Sequence, residues 1–512
     1  MNGAESLVAT LLAGGIELCF ANPGTSEMHF VAALDRLPGV RCVLGLFEGV
    51  ATGAADGYAR MADRPAATLL HCGPGLANGL ANLHNARRAG TPIVNLVGDQ
   101  ASHHRPLDAP LTADTEGWAR GVSGWVRTSR SAAEVGADAA DAIRAAGAPP
   151  GCIATLILPS DVCWDEGGVP ARPRPAPPPA IVPAADIEEI AALLRRREPT
   201  VLLLGGRALR AAPVADAERI ASATGARLLA PSFNARIERG RGRPAIDRVR
   251  YPVDQSVAQF QGVRHLVLVG AAPPVTFFAY PGKPGRPTPP GIAIHRLAGP
   301  GDDLADALAR LAEALGAPPL PAPARPPLPD PATGAVAADA VARSLAALLP
   351  EDAIVVEESV SFGRAFYPAL AGAARHDWLQ LTGGAIGDGL PLATGAAIAA
   401  PGRRVVTLQA DGSALYTLQA LWTQARERLD VTTVLLANRR YQILYGELAA
   451  VGATPGPAAA ALFDLGNPVI DWVGLARGFG VDAVRAEDMD QFNAAFRRAN
   501  AQPGPFLVEL VI

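Results

Sequence analysis

Cysteine is scarce in this 512-residue chain and has no pattern: Cys19, Cys42, Cys72, Cys152 and Cys163 are odd in number, scattered, and contain no CxxC pair. That excludes a disulfide framework and offers no zinc motif, as expected of a protein in a reducing cytosol. An excess of charge is also missing. The formal net charge is -4 and the pI about 6.1, so no basic stripe draws the chain to nucleic acid or an anionic membrane. The amino terminus, MNGAESLVATLLAGGIELCF, has no basic leader before its apolar stretch, and no uninterrupted apolar run is long enough to span a bilayer. These absences lead to the expectation of a soluble, unprocessed, cytoplasmic protein whose partners are small molecules and its own copies.

What is abundant is apolar material, 49% of the residues; at roughly 150 residues per domain the length predicts about three domains. Two proline-rich stretches, VPARPRPAPPPAIVP (169–183) and APPLPAPARPPLPDPATG (317–334), cannot continue a helix or a central strand and read as stiff extended connectors. They divide the chain into blocks 1–168, 184–316 and 335–512. In the first block the runs IELCFA, VRCVLGLF, AATLLH and PIVNLVG alternate with helical patterns, and in the third RVVTLQA and VTTVLLA do the same. This alternation predicts α/β domains with doubly wound parallel sheets. The middle block repeats the form in TVLLLGGRALRAAP and HLVLVGAAPPV, but neither glycine turn completes a GxGxxG fingerprint.

Chemistry concentrates at the strand ends. RVVTLQ runs into Ala410, Asp411, Gly412 and Ser413; a helix is expected over LYTLQALWTQARERL (415–429); and VTTVLLA then ends at Asn438. Strands joined by one right-handed crossover usually lie close together, so Asp411 and Asn438 are expected to face one crevice, where ligands bind in open α/β sheets. A carboxylate, an amide oxygen and backbone carbonyls form a hard oxygen set suited to Mg²⁺ or Ca²⁺. The small residues that follow let backbone amides approach a phosphate. In the first block LFEGVATGAADGYAR (46–60) puts Glu48 directly after an apolar run that reads as a buried strand. Taken alone, Glu48 is equally a first-turn acid favoured by the helix dipole. Three further strand ends, at Asn22-Pro23-Gly24-Thr25, at His71-Cys72-Gly73-Pro74 and at Asp99, point to the same rim, with His103 and His104 just beyond.

ADGSALYTLQALWTQARERLDVTTVLLAN resembles the GDGS-to-N motif of the thiamine diphosphate enzymes. NPGTSE, HCGPGLANG and DGYAR resemble further segments of that family in the correct order, so the resemblance covers essentially the whole chain. It implies that Asp411 and Asn438 hold the divalent ion by side chain and Arg440 by its carbonyl, and that the ion clamps the diphosphate beside Gly412 and Ser413. It implies that Glu48 hydrogen-bonds the aminopyrimidine ring and, as general acid/base, activates the thiazolium carbon, a role typically contributing about 10²- to 10⁴-fold. Asn22, Pro23, Gly24 and Gly384 fall among cofactor-binding positions, and Ile386 aligns with the apolar wedge on which the cofactor bends. Two departures stand out: Ala410 replaces the first glycine and Ala437 the first of the usual paired asparagines, neither an expected ligand.

Within the family the patterns are similar to acetolactate synthase large subunits and to benzoylformate decarboxylase. His71 falls where the decarboxylase has a proton-transferring histidine and the synthases have threonine; Thr25 falls where the decarboxylase has a serine contacting the substrate carboxylate. His103 and His104 resemble the paired histidines of pyruvate decarboxylases. The decarboxylase's second histidine has no counterpart near PSFNARIERGRGRP, where Arg236 or Arg239 would supply charge instead. Ile443 and Leu444 fall where relatives line the substrate pocket. The resemblance therefore implies non-oxidative decarboxylation or carboligation of 2-oxo acids, with acetolactate synthesis as one alternative and a non-catalytic, cofactor-binding regulatory paralogue as another. It also implies a homodimer or homotetramer with sites at subunit interfaces. FAD in the middle domain is left open, with no motif in its favour.

Overall fold

The computed structural model describes residues 1–321, 325 and 327–512; positions 322–324 and 326 of the second proline-rich stretch lie outside the described residues. Among the described residues eighteen strands run in chain order: β1 (Leu18–Ala21), β2 (Arg41–Leu44), β3 (Ala66–Leu70), β4 (Ile93–Asp99), β5 (Trp125–Thr128), β6 (Ile153–Pro159), β7 (Thr200–Leu204), β8 (Arg227–Ala230), β9 (Ile237–Arg239), β10 (Asp247–Arg248), β11 (His265–Val269), β12 (Ala293–Ala298), β13 (Ala353–Glu358), β14 (His376–Gln380), β15 (Val405–Ala410), β16 (Val431–Ala437), β17 (Asp482–Ala486) and β18 (Phe506–Val511). They form three sheets, ordered β2-β1-β3-β4-β6-β5, β10-β8-β7-β11-β12 and β17-β18-β16-β15-β13-β14-β9. Central strands such as β3, β4, β6 and β16 are buried at every residue, which is why they appear in the sequence as unbroken apolar runs: helices cover both faces of a parallel sheet.

Two expectations need correction. The sheets are parallel except for β9, which leaves the middle block and pairs antiparallel with β14 through Ile237↔Trp378, Glu238↔Asp377 and Arg239↔His376. A short passing strand thereby covers an edge that would otherwise be open. The run VRCVLGLF is not a wholly buried strand ending at Glu48. β2 is an edge strand with Arg41 and Cys42 exposed, and Gly45, Leu46 and Phe47 intervene before the helix Glu48–Ala62.

The first connector is pinned to the surface: Ala171 N donates to Thr10 Oγ1 at 3.0 Å, and Ala180 bridges to Asp302. In the middle sheet the two glycine turns meet each other, Gly205 N donating to Val269 O at 2.8 Å; a Cβ at Gly205 would lie 2.6 Å from Gly270 O. The two turns therefore approach backbone to backbone, which is why glycine stands at both.

The first and third domains are joined by two helices in close contact. Glu48–Ala62 packs on Gly389–Ala399 with backbone against backbone: a Cβ at Gly57 would lie 2.0 Å from Leu392 O, and one at Gly395 1.8 Å from Ala54 O. Among the described residues no helix is long and apolar enough to cross a membrane.

Candidate active site

The first rim follows from the strand order. β2, β1, β3 and β4 are consecutive neighbours, so the segments after them, carrying Glu48, Asn22 to Thr25, His71 and Asp99, emerge side by side. The order reverses between β1 and β3, which opens a crevice there. A cleft of about 220 Å³ occupies this place, lined in part by Thr25, Ser26, His71, Cys72, Gln100 and Trp164.

At its floor is a residue the sequence does not single out. Glu27 closes the short 3-10 helix Thr25–Glu27 and is buried; its Oε2 accepts from Gly24 N at 2.8 Å and lies 2.9 Å from His71 Nδ1. Ser26 Oγ donates to Glu27 Oε1 and lies 3.1 Å from both His71 Nδ1 and Cys72 Sγ. A carboxylate on Nδ1 fixes the ring's orientation and leaves Nε2 for other partners. Two glycines make room: a Cβ at Gly98 would lie 1.8 Å from Glu27 Oε1, and one at Gly24 would lie 2.2 Å from the His71 ring. Burial pushes the Cys72 thiol up to about 11 and raises the Asp99 carboxyl, although Arg105 pairs with it.

Glu48 is both a first-turn helix acid and a buried group. Its Oε2 accepts from Asn78 Nδ2 at 3.0 Å, and among the described residues Oε1 has no hydrogen bond. Asn78 belongs to the helix Cys72–Ala89, whose next polar residues on that face grip the third domain. Asn82 Nδ2 donates to Gly387 O at 3.2 Å and Asn85 Nδ2 to Ala385 O at 2.8 Å, while Asn85 Oδ1 accepts from Ala385 N at 3.2 Å. One helix thus touches the Glu48 carboxylate and the loop that carries Gly384 and the half-buried Ile386. The spacing 78, 82, 85 is the helical i, i+4, i+7 stripe that would have revealed it.

The second rim is built on β15 and β16, parallel neighbours in the register Ala410↔Leu436. Asp411 is buried; Oδ1 accepts from Gly412 N at 2.8 Å and Oδ2 from Arg439 N at 2.6 Å. Burial raises its carboxyl above the ordinary value, and no cationic side chain among the described residues pairs with it. Asn438 Oδ1 accepts from Arg440 N at 3.0 Å, and Arg440 O accepts from Gln442 N at 3.0 Å. A buried anion without a cation, beside an amide oxygen and a carbonyl, fits a hard divalent ion. Ser413 is oriented by Gln409 Nε2 at 2.7 Å, and that amide also donates to Glu358 Oε2 at 3.0 Å. Glu358 in turn accepts from Gly387 N and Gly389 N, both at 2.6 Å, anchoring the loop before the helix Gly389–Ala399.

Other expectations meet a different geometry. The helix after Ser413 is shorter than 415–429: it covers Ala420–Arg426, after a turn in which Thr417 Oγ1 donates to Gly387 O at 2.9 Å. His103 and His104 are exposed and make no contact with the His71 cluster; His103 lies 3.9 Å from Asp161 and edge-on to Trp164, at the outer margin of the cleft. Arg236 and Arg239 do not supply charge beside His71. Arg236 Nε donates to Asp377 at 2.6 Å, and Arg239 is buried with its guanidinium 3.6 Å from the Tyr367 ring centroid. Ile443 and Leu444 sit on the helix Gln442–Ala450, Leu444 exposed; the helix is tied to the middle domain where Tyr251 and Tyr280 donate to Glu447 at 3.1 and 2.7 Å.

Comparison with known proteins matches the two domains that carry these rims. Residues 1–118 match the thiamine pyrophosphate enzyme N-terminal TPP binding domain, and residues 366–510 the C-terminal TPP binding domain. The chain is 53% identical over 520 residues to "Putative acetolactate synthase large subunit IlvX" of Mycobacterium tuberculosis, covering 100% of this chain and 99% of the other. It is 30% identical over 544 residues to benzoylformate decarboxylase of Pseudomonas aeruginosa, covering 97% and 96%. Among solved structures, the thiamine diphosphate-dependent 4-hydroxybenzoylformate decarboxylase of Rhodococcus jostii RHA1 superposes with a TM-score of 0.87 at 25% identity, over 99% of this chain and 98% of that one. The chain belongs to the thiamine pyrophosphate (thiamine diphosphate) enzyme family.

Proposed function

We propose that this enzyme decarboxylates 2-oxo acids without oxidation, releasing an aldehyde or joining the fragment to an acceptor carbonyl, with His71 as its proton-transfer residue. The observation that carries the reading is the cleft in which His71 stands beside Thr25 with Nδ1 held by buried Glu27. When bound, thiamine diphosphate supplies a thiazolium carbon that acts as a nucleophile toward the 2-oxo carbon. Glu48 holds and exchanges a proton through its unpartnered Oε1, and Asn78 keeps Oε2 occupied. Asn22, Pro23, Gly24, Gly384 and Ile386 would border the cofactor; Gly412 and Ser413 would receive the diphosphate; and Asp411, Asn438 and the Arg440 carbonyl would hold Mg²⁺. Thr25 orients the substrate carboxylate, and His71 gives or takes a proton at Nε2 after carbon dioxide leaves. His103 and His104 join the outer margin of this rim, and Ile443 and Leu444 border the acyl group.

The domain limits 1–168, 184–316 and 335–512 belong to the same reading, as does a cytoplasmic homodimer or homotetramer with sites between subunits. Apolar side chains exposed at both rims support that assembly: Met28, Leu46, Leu111 and Trp164 on one, Tyr416, Leu444 and Leu462 on the other. Acetolactate synthesis is the second reading, favoured by the name of the 53%-identical relative. The test is product analysis with a panel of 2-oxo acids, with and without acceptor aldehydes, in the presence of thiamine diphosphate and Mg²⁺. Aldehyde release without acceptor supports the decarboxylase, acetolactate from pyruvate alone supports the synthase, and no turnover of any 2-oxo acid overturns both.

A further inference from the structure

Among the described residues one group of histidine, cysteine and acidic side chains has donor atoms close enough to share an ion, and it is not the Asp411 pair. Glu27, His71 and Cys72 each present one donor within 4.8 Å of the other two. Ser26 Oγ sits between them, 3.1 Å from His71 Nδ1 and 3.1 Å from Cys72 Sγ, and bonded to Glu27. Neighbouring ligands of a tetrahedral zinc ion, with bonds of about 2.0–2.3 Å, are separated by roughly 3.3–3.8 Å. Glu27 Oε2 and His71 Nδ1 stand 2.9 Å apart and no donor of the three is more than 4.8 Å from another, a spread that side-chain rotation brings to that spacing around one ion. The cysteine spacing shows nothing of this, because the ligands converge from the segments after β1 and β3.

We propose that Glu27, His71 Nδ1 and Cys72 Sγ, with the Ser26 hydroxyl or a water as fourth ligand, form a binding site for Zn²⁺ or another thiophilic dication at the floor of the cleft. Binding forms a metal–sulfur bond and releases the thiol proton to solvent. The thiolate and the Glu27 carboxylate then balance the two positive charges inside a largely buried cluster. Thiolate and imidazole select against Mg²⁺, which demands octahedral oxygen ligands, so the two rims take different metals. With Nδ1 bonded to the ion the ring can no longer form an imidazolium, so His71 stops giving and taking a proton at Nε2 and the enzyme is reversibly inhibited. This consequence, unlike the binding itself, rests on the catalytic reading of His71.

The test uses the full chain with excess Mg²⁺, titrated with Co²⁺ and followed by thiolate-to-cobalt charge-transfer absorption, then with Zn²⁺ in competition. One equivalent of Co²⁺ giving the band, displaced by Zn²⁺, is the expected result. Cys72→Ser abolishes the band and weakens Zn²⁺ binding by at least about 100-fold, as expected for loss of a direct ligand. Cys42→Ser, which removes the exposed thiol, and Asp411→Ala both keep the band. A band that survives Cys72→Ser, or disappears with Cys42→Ser, overturns the site. If Cys72→Ser loses its native circular dichroism, His71→Gln decides by the same two outcomes. Tight Zn²⁺ binding that leaves turnover intact sinks the role of His71 and leaves the metal site standing.

Discussion

The first and third domains have the same strand order, since β17-β18-β16-β15-β13-β14 repeats β5-β6-β4-β3-β1-β2 once each is numbered from its own start. Their rims are nevertheless opposite in chemistry. The first presents carboxylates in contact with side chains, Glu27 with the His71 imidazole and Glu48 with the Asn78 amide. At the end of β15 the third presents Asp411, a buried carboxylate whose hydrogen bonds come from backbone N–H groups, followed by small residues. A common scaffold thus supplies a place where loops converge, and the residues at four or five strand ends decide whether that place moves protons or holds charge.

The comparison breaks hardest at Asp411. Asp411→Ala is expected to abolish Mg²⁺-dependent binding of thiamine diphosphate in calorimetry while leaving the His71 cleft unchanged; affinity equal to the parent's removes the third rim from the metal assignment. Glu48→Gln separates the rims in the other direction. Cofactor affinity should change by no more than a few fold, while deuterium exchange at the thiazolium carbon slows by about 10²- to 10⁴-fold; an unchanged rate returns Glu48 to a helix-start acid. His71→Ala is expected to slow aldehyde release by at least about 10²-fold and carboligation by less, measured on the same 2-oxo acid. Survival of both rates favours the synthase.

Glu27→Gln, which keeps the shape but weakens a charge-assisted hydrogen bond, should lower kcat by about tenfold, equivalent to about 1.4 kcal/mol, with KM nearly unchanged. A larger effect on KM than on kcat points to substrate binding instead. A last effect, on stability and not on turnover, lies at β14, an edge the first sheet does not need to cover. His376 is buried there, and desolvation lowers it to about 3. An unfolded chain takes up a proton near its ordinary value of 6.5, so the folded state is fully favoured above that pH and loses ground as pH falls toward 3. The slope approaches about 1.4 kcal/mol per pH unit. His376→Gln should flatten the fall of the urea midpoint between about pH 6 and 4; an unchanged slope removes His376 from the acid response.

Much of the fold was legible because both faces of parallel strands are buried, which leaves unbroken apolar runs and sharp ends at Leu70, Asp99, Ala410 and Ala437. What was not legible depended on direction. Glu27 reads as one more acid in a helical turn, since nothing local tells that its carboxylate points inward at a histidine 44 residues away. His103 and His104 have the right composition and stand exposed; Arg236 and Arg239 have the right charge and are committed to Asp377 and Tyr367. β9 was hidden because a three-residue strand carries too short a pattern to distinguish the sheet it joins.

The paired glycine contact between Glu48–Ala62 and Gly389–Ala399 has a mechanical consequence. Each helix presses bare backbone on the other at Gly57 and Gly395, with gaps of 2.0 and 1.8 Å for any added carbon. Ridges that interlock this closely resist sliding and rolling, so the joint behaves as a weld between the first and third domains of one chain. A hinge there is not available to admit a cofactor or release a product.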